Sequence, residues 1–180
     1  MIELPETTVL ADQIRKNLIG KQITNVQANT HPHKFAWYTG DPGNYPAMLT
    51  GKKITGSAAG AGSGCGYSTM ILCEDTLLEL GTPIRYYPKG SRLPAKHQLL
   101  LTFDDDSFIS CTVKMWGALF CIPATAFPDD KKPSPLTDAF DERYFEQLCS
   151  ASPKNLSLKA LLATEQRIPG LGNGVLQDIL

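Results

Sequence analysis

The sequence predicts an α+β chain, a β-sandwich with a leading helix followed by a helical domain, and three observations predict it. In 180 residues, 42% are hydrophobic and 19% charged, enough to build a core and too apolar for disorder. Between Gly51 and Ile122 short apolar runs alternate with turns, the pattern of a double sheet. After a proline-rich stretch the apolar spacing changes to that of helices. Thirteen Pro and fifteen Gly argue against a simple helical bundle. The expected organisation is a sandwich over residues 1–122, a linker over 123–136, and the start of a helical domain over 137–180.

Each element follows in order. Pro5 suits the first turn of a helix, with its fixed φ and dispensable N–H. Leu10, Ile14 and Leu18 lie four apart on one face, and Gly20 is the stop. Lys21–Ala28 reads as a strand. His31–Pro46, with Pro32, Gly40, Pro42, Gly43 and Pro46, reads as irregular. Strands are expected at Lys53–Ser57, Thr69–Cys73, Thr76–Leu80, Gln98–Phe103, Ser107–Val113 and Ala118–Ile122, with a hairpin turn at Asp104–Asp106. Pro123–Pro135 is the linker. Phe140, Tyr144, Phe145 and Leu148 mark a helix with Asp138 and Asp141 at its start. A further helix runs from Ser157 to Ile168 with Leu158, Leu161 and Leu162 on one face, ended by Pro169, and Val175–Leu180 is an apolar run.

Several function classes drop out. No apolar run reaches the ~20 residues of a membrane span. The start MIELPETTVL carries acids where a secretion signal carries cations, so a cytoplasmic protein is expected. Seventeen Lys+Arg against eighteen Asp+Glu leave a net charge of −1, which counts mildly against nucleic acid. The five cysteines show no C-x2–4-C pair, so no zinc ribbon is present and reduced, buried thiols are expected. His31 and His33 alternate without a third ligand, and no metal site is assigned. The glycines at 60, 62, 64 and 66 fail the spacing of a nucleotide loop and read as a mobile loop.

The C-terminal segment is the most informative. In Pro169-Gly170-Leu171-Gly172-Asn173-Gly174, Gly170 and Gly172 permit close backbone approach, and Asn173 is a natural N-cap for the helix that follows. Free N–H groups at such a turn suit a phosphate, with Lys159 upstream as an added cation. The plain alternative is an ordinary tight turn between helices. Arg85, Lys89, Arg92, Lys96 and His97 form a basic stretch, which is a solvated face or a phosphate-contacting surface.

The segment IPGLGNGVLQDIL after SLKALLATEQR resembles the helix–two-turn–helix of the formamidopyrimidine-DNA glycosylase and endonuclease VIII family, and the opening MIELPE resembles that family's N-terminus. The resemblance implies a base-excision-repair protein that removes oxidised bases from damaged duplex DNA as a monomer, with a possible abasic-site lyase activity. It assigns phosphate contacts to Asn173 and Lys159, proton transfer to Glu3, and a supporting role to Glu6. The family's nucleophile is an N-terminal proline amine; here Ile2 follows the initiator, so the candidate amine is that of Met1. The β-domain lysine of the family has no counterpart in the stretch 60–69, which contains no Lys or Arg. Lys114, Met115 and Trp116 occupy the stretch that fills the gap left by a flipped base; Trp116 is either such a wedge or a core residue. Arg85 is the β-domain candidate for a phosphate contact. The chain stops at Leu180 inside the motif, so it reads as a fragment, and zinc enters only if a finger follows in a longer product. Two other readings stand beside the glycosylase: a catalytically inactive DNA-binding member of the family, and a β-sandwich module for a protein partner.

Overall fold

The computed structural model describes residues 2–63, 66–126, 132–152 and 155–180. Helix α1, Leu4–Asn17, starts with Pro5 in its first turn and buries Thr7, Ala11 and Ile14. Gly20, at φ +85°, turns the chain just after it. Nine strands follow: β1 (Ile23–Ala28), β2 (Ala36–Tyr38), β3 (Ile54–Ala61), β4 (Tyr67–Cys73), β5 (Thr76–Leu80), β6 (Ile84–Tyr87), β7 (Leu99–Phe103), β8 (Phe108–Cys111) and β9 (Gly117–Pro123). They form a four-stranded sheet in the order β1-β7-β8-β6 and a five-stranded sheet in the order β2-β9-β5-β4-β3.

The inner faces of the two sheets share one core. Ile23, Val26, Leu99, Leu101, Phe103 and Ile109 meet Ile54, Ile71, Leu78, Leu80 and Leu119, with Ile14 of α1 and Leu18 just past its end added at one side. The alternation Leu99, Leu101, Phe103 is the period of two that sends every second side chain inward. Asp104–Asp106 closes the β7–β8 hairpin, with Asp106 at φ +64°. Cys73, Cys111 and Cys121 are buried free thiols, each pushed up to about 12 chiefly by burial, which keeps them protonated and unreactive. Cys149 is exposed and Cys65 lies outside the described residues.

Several expectations are corrected. The stretch 31–46 is not wholly irregular: it contains β2 and the start of helix α2 (Tyr45–Leu49), whose Tyr45 hydroxyl donates to the Leu119 carbonyl at 2.8 Å. Strand β3 runs four residues past Ser57, so Gly60 belongs to a strand and not to a loop. Strand β6 arises inside the basic stretch, where Ile84 alone reaches the core. His31 and His33 lie outside any strand, and the His31 ring packs edge-on against buried His97 at 4.8 Å.

Helix α3 (Glu142–Ala151) has Asp141 as its N-cap, the side chain accepting from Tyr144 N–H at 2.8 Å; Asp138 stands outside it. Helix α4 covers Leu158–Ala163 and ends five residues before Ile168. Glu165 and Gln166 take left-handed φ values of +57° and +48°, and Arg167 donates to the Ala160 carbonyl at 2.6 Å, capping the helix end. Proline 169 therefore follows a loop, not a helix. Helix α5 is Asn173–Ile179. Leu162, Ile168, Leu171 and Leu176 form a second, smaller core with Phe140 and Leu148 against it. Among the described residues no helix is long and apolar enough to cross a membrane.

Candidate nucleic-acid interface

The two ends of the chain meet. Ile2 is 2% exposed and anchors the N-terminus. The Glu3 N–H donates to the Glu6 carboxylate at 2.9 Å, and the Leu4 N–H donates to the Gly170 carbonyl at 2.9 Å. The Glu3 carboxylate then receives the N–H groups of Gly174 at 2.9 Å and Val175 at 2.8 Å, at the start of α5. An anion at that end is favoured by both the orphan donors and the helix dipole. A Cβ on Gly172 would stand 2.5 Å from the Glu3 carboxylate, so glycine is needed for the approach. The turn expected to cradle a phosphate on its own N–H groups thus holds an internal carboxylate on two of them.

Gly170 is buried at φ +77°, and a Cβ there would lie 2.8 Å from the Leu4 Cβ and 2.9 Å from the Tyr67 ring. It packs against α1 and β4, and its side faces no solvent. Asn173 is not the N-cap of α5; that position is Gly172, because Glu3 already occupies the donors a capping side chain would take. The Asn173 side chain is exposed. Lys159, also exposed, lies on α4, which packs on α5 through Leu162 and Leu176. Beside α1, a shallow apolar recess is lined by Ile2, Pro5, Val9, Leu10 and Pro83, with Glu6 at its rim. Met1, whose amine the sequence offers as nucleophile, lies outside the described residues.

The other candidates are dispersed. Lys114 and Met115 are exposed and Trp116 half-buried on the β8–β9 connection. Trp116 stays out of the core cluster, so the core reading does not describe it. Arg85 is exposed on β6, at an edge of the four-stranded sheet. The basic stretch around it is not uniformly free: Lys89 pairs with Asp106 at 2.6 Å and His97 is buried. Among the described residues no group of three or more His, Cys, Asp or Glu stands together as a metal site.

Sequence reasoning missed Glu79. It is fully buried on β5, and it accepts from the Ser63 N–H at 2.9 Å, from the Ser63 hydroxyl, and from Ser68 Oγ at 3.4 Å. No Lys or Arg pairs with it among the described residues. A signal existed in Thr76-Leu77-Leu78-Glu79-Leu80, a lone acid in a strand otherwise suited to a core. Tyr67 was missed too; its ring faces Gly170 and its hydroxyl lies 3.1 Å from Ser134 Oγ.

No protein-family model matches the chain, and no curated protein matches it. Solved structures do match. A Lactococcus lactis formamidopyrimidine DNA glycosylase (Fpg, MutM) bound non-covalently to DNA with an AP site aligns with a TM-score of 0.76 at 21% identity, over 99% of this chain and 68% of that one. A MutM complex with DNA containing carbocyclic 8-oxo-G gives 0.74 at 23% identity, over 99% and 67%. The Lactococcus lactis enzyme with FAPY-dG-containing DNA gives 0.76 at 22% identity, again over 99% and 67%. The chain therefore spans about two thirds of the length of these proteins. The likeness is one of fold: this chain has the sandwich-and-helices architecture of the Fpg-type DNA glycosylases.

Proposed function

We propose that the protein binds damaged duplex DNA and excises an oxidised base, as a DNA glycosylase with an associated abasic-site lyase step. The observation that carries this reading is the Glu3 bridge, which brings the start of the chain onto the Gly172–Val175 turn. An acid able to move protons thereby sits beside the exposed Asn173 and, through α4, the exposed Lys159. The fold shared with glycosylases held on lesion-containing DNA supports it.

In this reading the damaged base leaves the stack, at a cost of about a few kcal/mol. An amine nitrogen attacks C1′ of the sugar. The C1′–N bond breaks, its electron pair leaves with the base, and the base takes a proton. The attacking nitrogen then loses a proton, and the C1′–O4′ bond breaks with its electron pair and a proton going to O4′, which leaves a protonated imine at C1′. Removal of a C2′ proton then expels the 3′ phosphate. Glu3 moves the protons, and Glu6 fixes the Glu3 backbone. The primary amine of Met1 takes the nucleophile's place. Asn173 and Lys159 hold phosphates, Arg85 and Lys114 add cations, and Trp116 enters the space the base vacates. The protein acts as a monomer in the cytoplasm, with no cofactor in this chain.

A specific observation favours a second reading, a non-catalytic DNA binder: the stretch 60–69 has no Lys or Arg, and the acid next to it, Glu79, is sealed in. Borohydride trapping on a duplex with one abasic site, followed by mass spectrometry, separates the two. An adduct at Met1 is the expected result. Salt-sensitive duplex binding without an adduct replaces the enzyme by the binder. No binding at all removes the DNA reading and leaves a protein-interaction module.

A further inference from the structure

Two of the three aromatic residues over 35–38 lie outside the core. Ala36 and Tyr38 face inward, and the Tyr38 hydroxyl donates to the Gln98 carbonyl at 3.2 Å. The alternation therefore turns Trp37 outward, where it is 58% exposed, and Phe35, in the turn before the strand, is 45% exposed. They are not loosely held. β2 pairs in parallel with β9, Ala36 with Gly117 and Trp37 with Ala118, and the Gly117 N–H donates to the Phe35 carbonyl at 3.0 Å. Trp116, half-buried, is the residue just before Gly117. Met115, 77% exposed, precedes it.

One cation lies directly on this surface. The Lys34 Nζ lies 5.3 Å from the centre of the Phe35 ring, and Lys114 is exposed nearby in sequence to Trp116. Residues 28–40 and 107–123 contain no Asp or Glu, and the first acid after β2, Asp41, accepts from the Gly43 N–H at 2.8 Å. β2 is also a sheet edge, so nothing further along the sheet covers it among the described residues.

We infer that Phe35 and Trp37 form a stacking platform for unpaired nucleobases of a single-stranded stretch of DNA, whose phosphates Lys34 neutralises. Rigid aromatic faces flanked by cations are what strand binding without base pairing requires. The inference rests on the DNA reading for the nature of the partner, and adds a site for a strand that is not paired.

The test uses wild type, Trp37→Ala and Trp37→Phe, each with a thymidine oligonucleotide of about twelve residues, a fully paired duplex and an abasic duplex, at one salt concentration. Trp37 is exposed at an edge, and circular dichroism checks that the variants fold. Trp37→Ala is expected to weaken oligonucleotide binding roughly tenfold, the loss of about one base–aromatic stack, while Trp37→Phe retains most of it and paired-duplex binding is unchanged. Unchanged oligonucleotide affinity in Trp37→Ala, or an equal loss on the paired duplex, overturns the platform and leaves the repair reading intact. Trp37-dependent oligonucleotide binding without abasic-duplex binding keeps the platform and overturns the repair reading. Wild type binding neither overturns both.

Discussion

The two glycine-rich turns of this protein solve one problem in opposite ways. Each presents backbone N–H groups, and each receives a glutamate from another element. At the first, Gly62 and Ser63 close over Glu79; a Cβ on Gly62 would overlap that carboxylate and stand 2.7 Å from Ser68 Oγ. At the second, Gly172, Gly174 and Val175 meet Glu3 across 171 residues of chain. Glu79 is fully buried, whereas Glu3 is only partly so. A sealed carboxylate can only hold a loop in place, while one at a junction between two elements can still meet a substrate. Glycine spacing alone therefore says that an anion approaches the backbone; whether that anion is foreign or the protein's own depends on a residue distant in sequence.

The largest expected effect tests whether the second turn is fixed to the first helix. Gly170→Ala adds a methyl against the Leu4 Cβ and the Tyr67 ring at a left-handed φ of +77°. Overpacking and backbone strain together predict a loss of about 3 kcal/mol in urea unfolding. A loss below about 1 kcal/mol would mean that the turn yields easily, and the contrast between a fixed and a sealed carboxylate would weaken.

The next two variants form a pair. Glu79→Ala strands the Ser63 donors and should cost about 2 kcal/mol of stability, yet leave borohydride trapping per folded molecule unchanged. Glu3→Ala removes a partly exposed acceptor of two N–H bonds and should cost about 1–2 kcal/mol, yet reduce trapping at least roughly 100-fold if Glu3 moves the protons. Unfolding curves and single-turnover trapping measured on the same preparations decide it. If both variants lost trapping in proportion to stability, the functional distinction between the turns would be gone.

How much of this was legible follows from sequence distance. The sandwich was readable because Leu99, Leu101 and Phe103 or Thr76, Leu78 and Leu80 alternate locally, and the first helix because its apolar spacing and proline are local too. Strand β2 was not, since three residues between prolines and glycines have no period to read, and its existence depends on pairing with β9 eighty residues on. Helix α4 ended early because Arg167 and the left-handed Glu165 and Gln166 cap it, a competition that the apolar spacing of Leu158, Leu161 and Leu162 does not register. At the candidate site, Glu3, Gly172 and Asn173 could be named from local motifs. That Glu3 would fill the donors of the turn could not, because the contact joins the two ends of the chain.

The smallest effect separates both turns from the rest of the molecule's response to acid. Neither turn contains histidine. His97 is buried, with Gln27 Oε1 at 3.1 Å and Thr30 Oγ1 at 3.4 Å from its Nε2, the Pro94 carbonyl at 3.4 Å from its Nδ1, and the His31 ring against it. Burial holds it below its ordinary value of 6.5; the Pro94 carbonyl opposes that shift and the neighbouring His31 adds to it. The unfolded chain therefore takes up the proton first as pH falls. Stability is full above 6.5 and declines as pH drops from there toward the lowered folded value. Melting temperature should fall modestly between about pH 7.5 and 5.5, and His97→Gln should flatten that slope without changing the difference between Glu3→Ala and Glu79→Ala. A slope that survived the substitution would place the titrating group elsewhere.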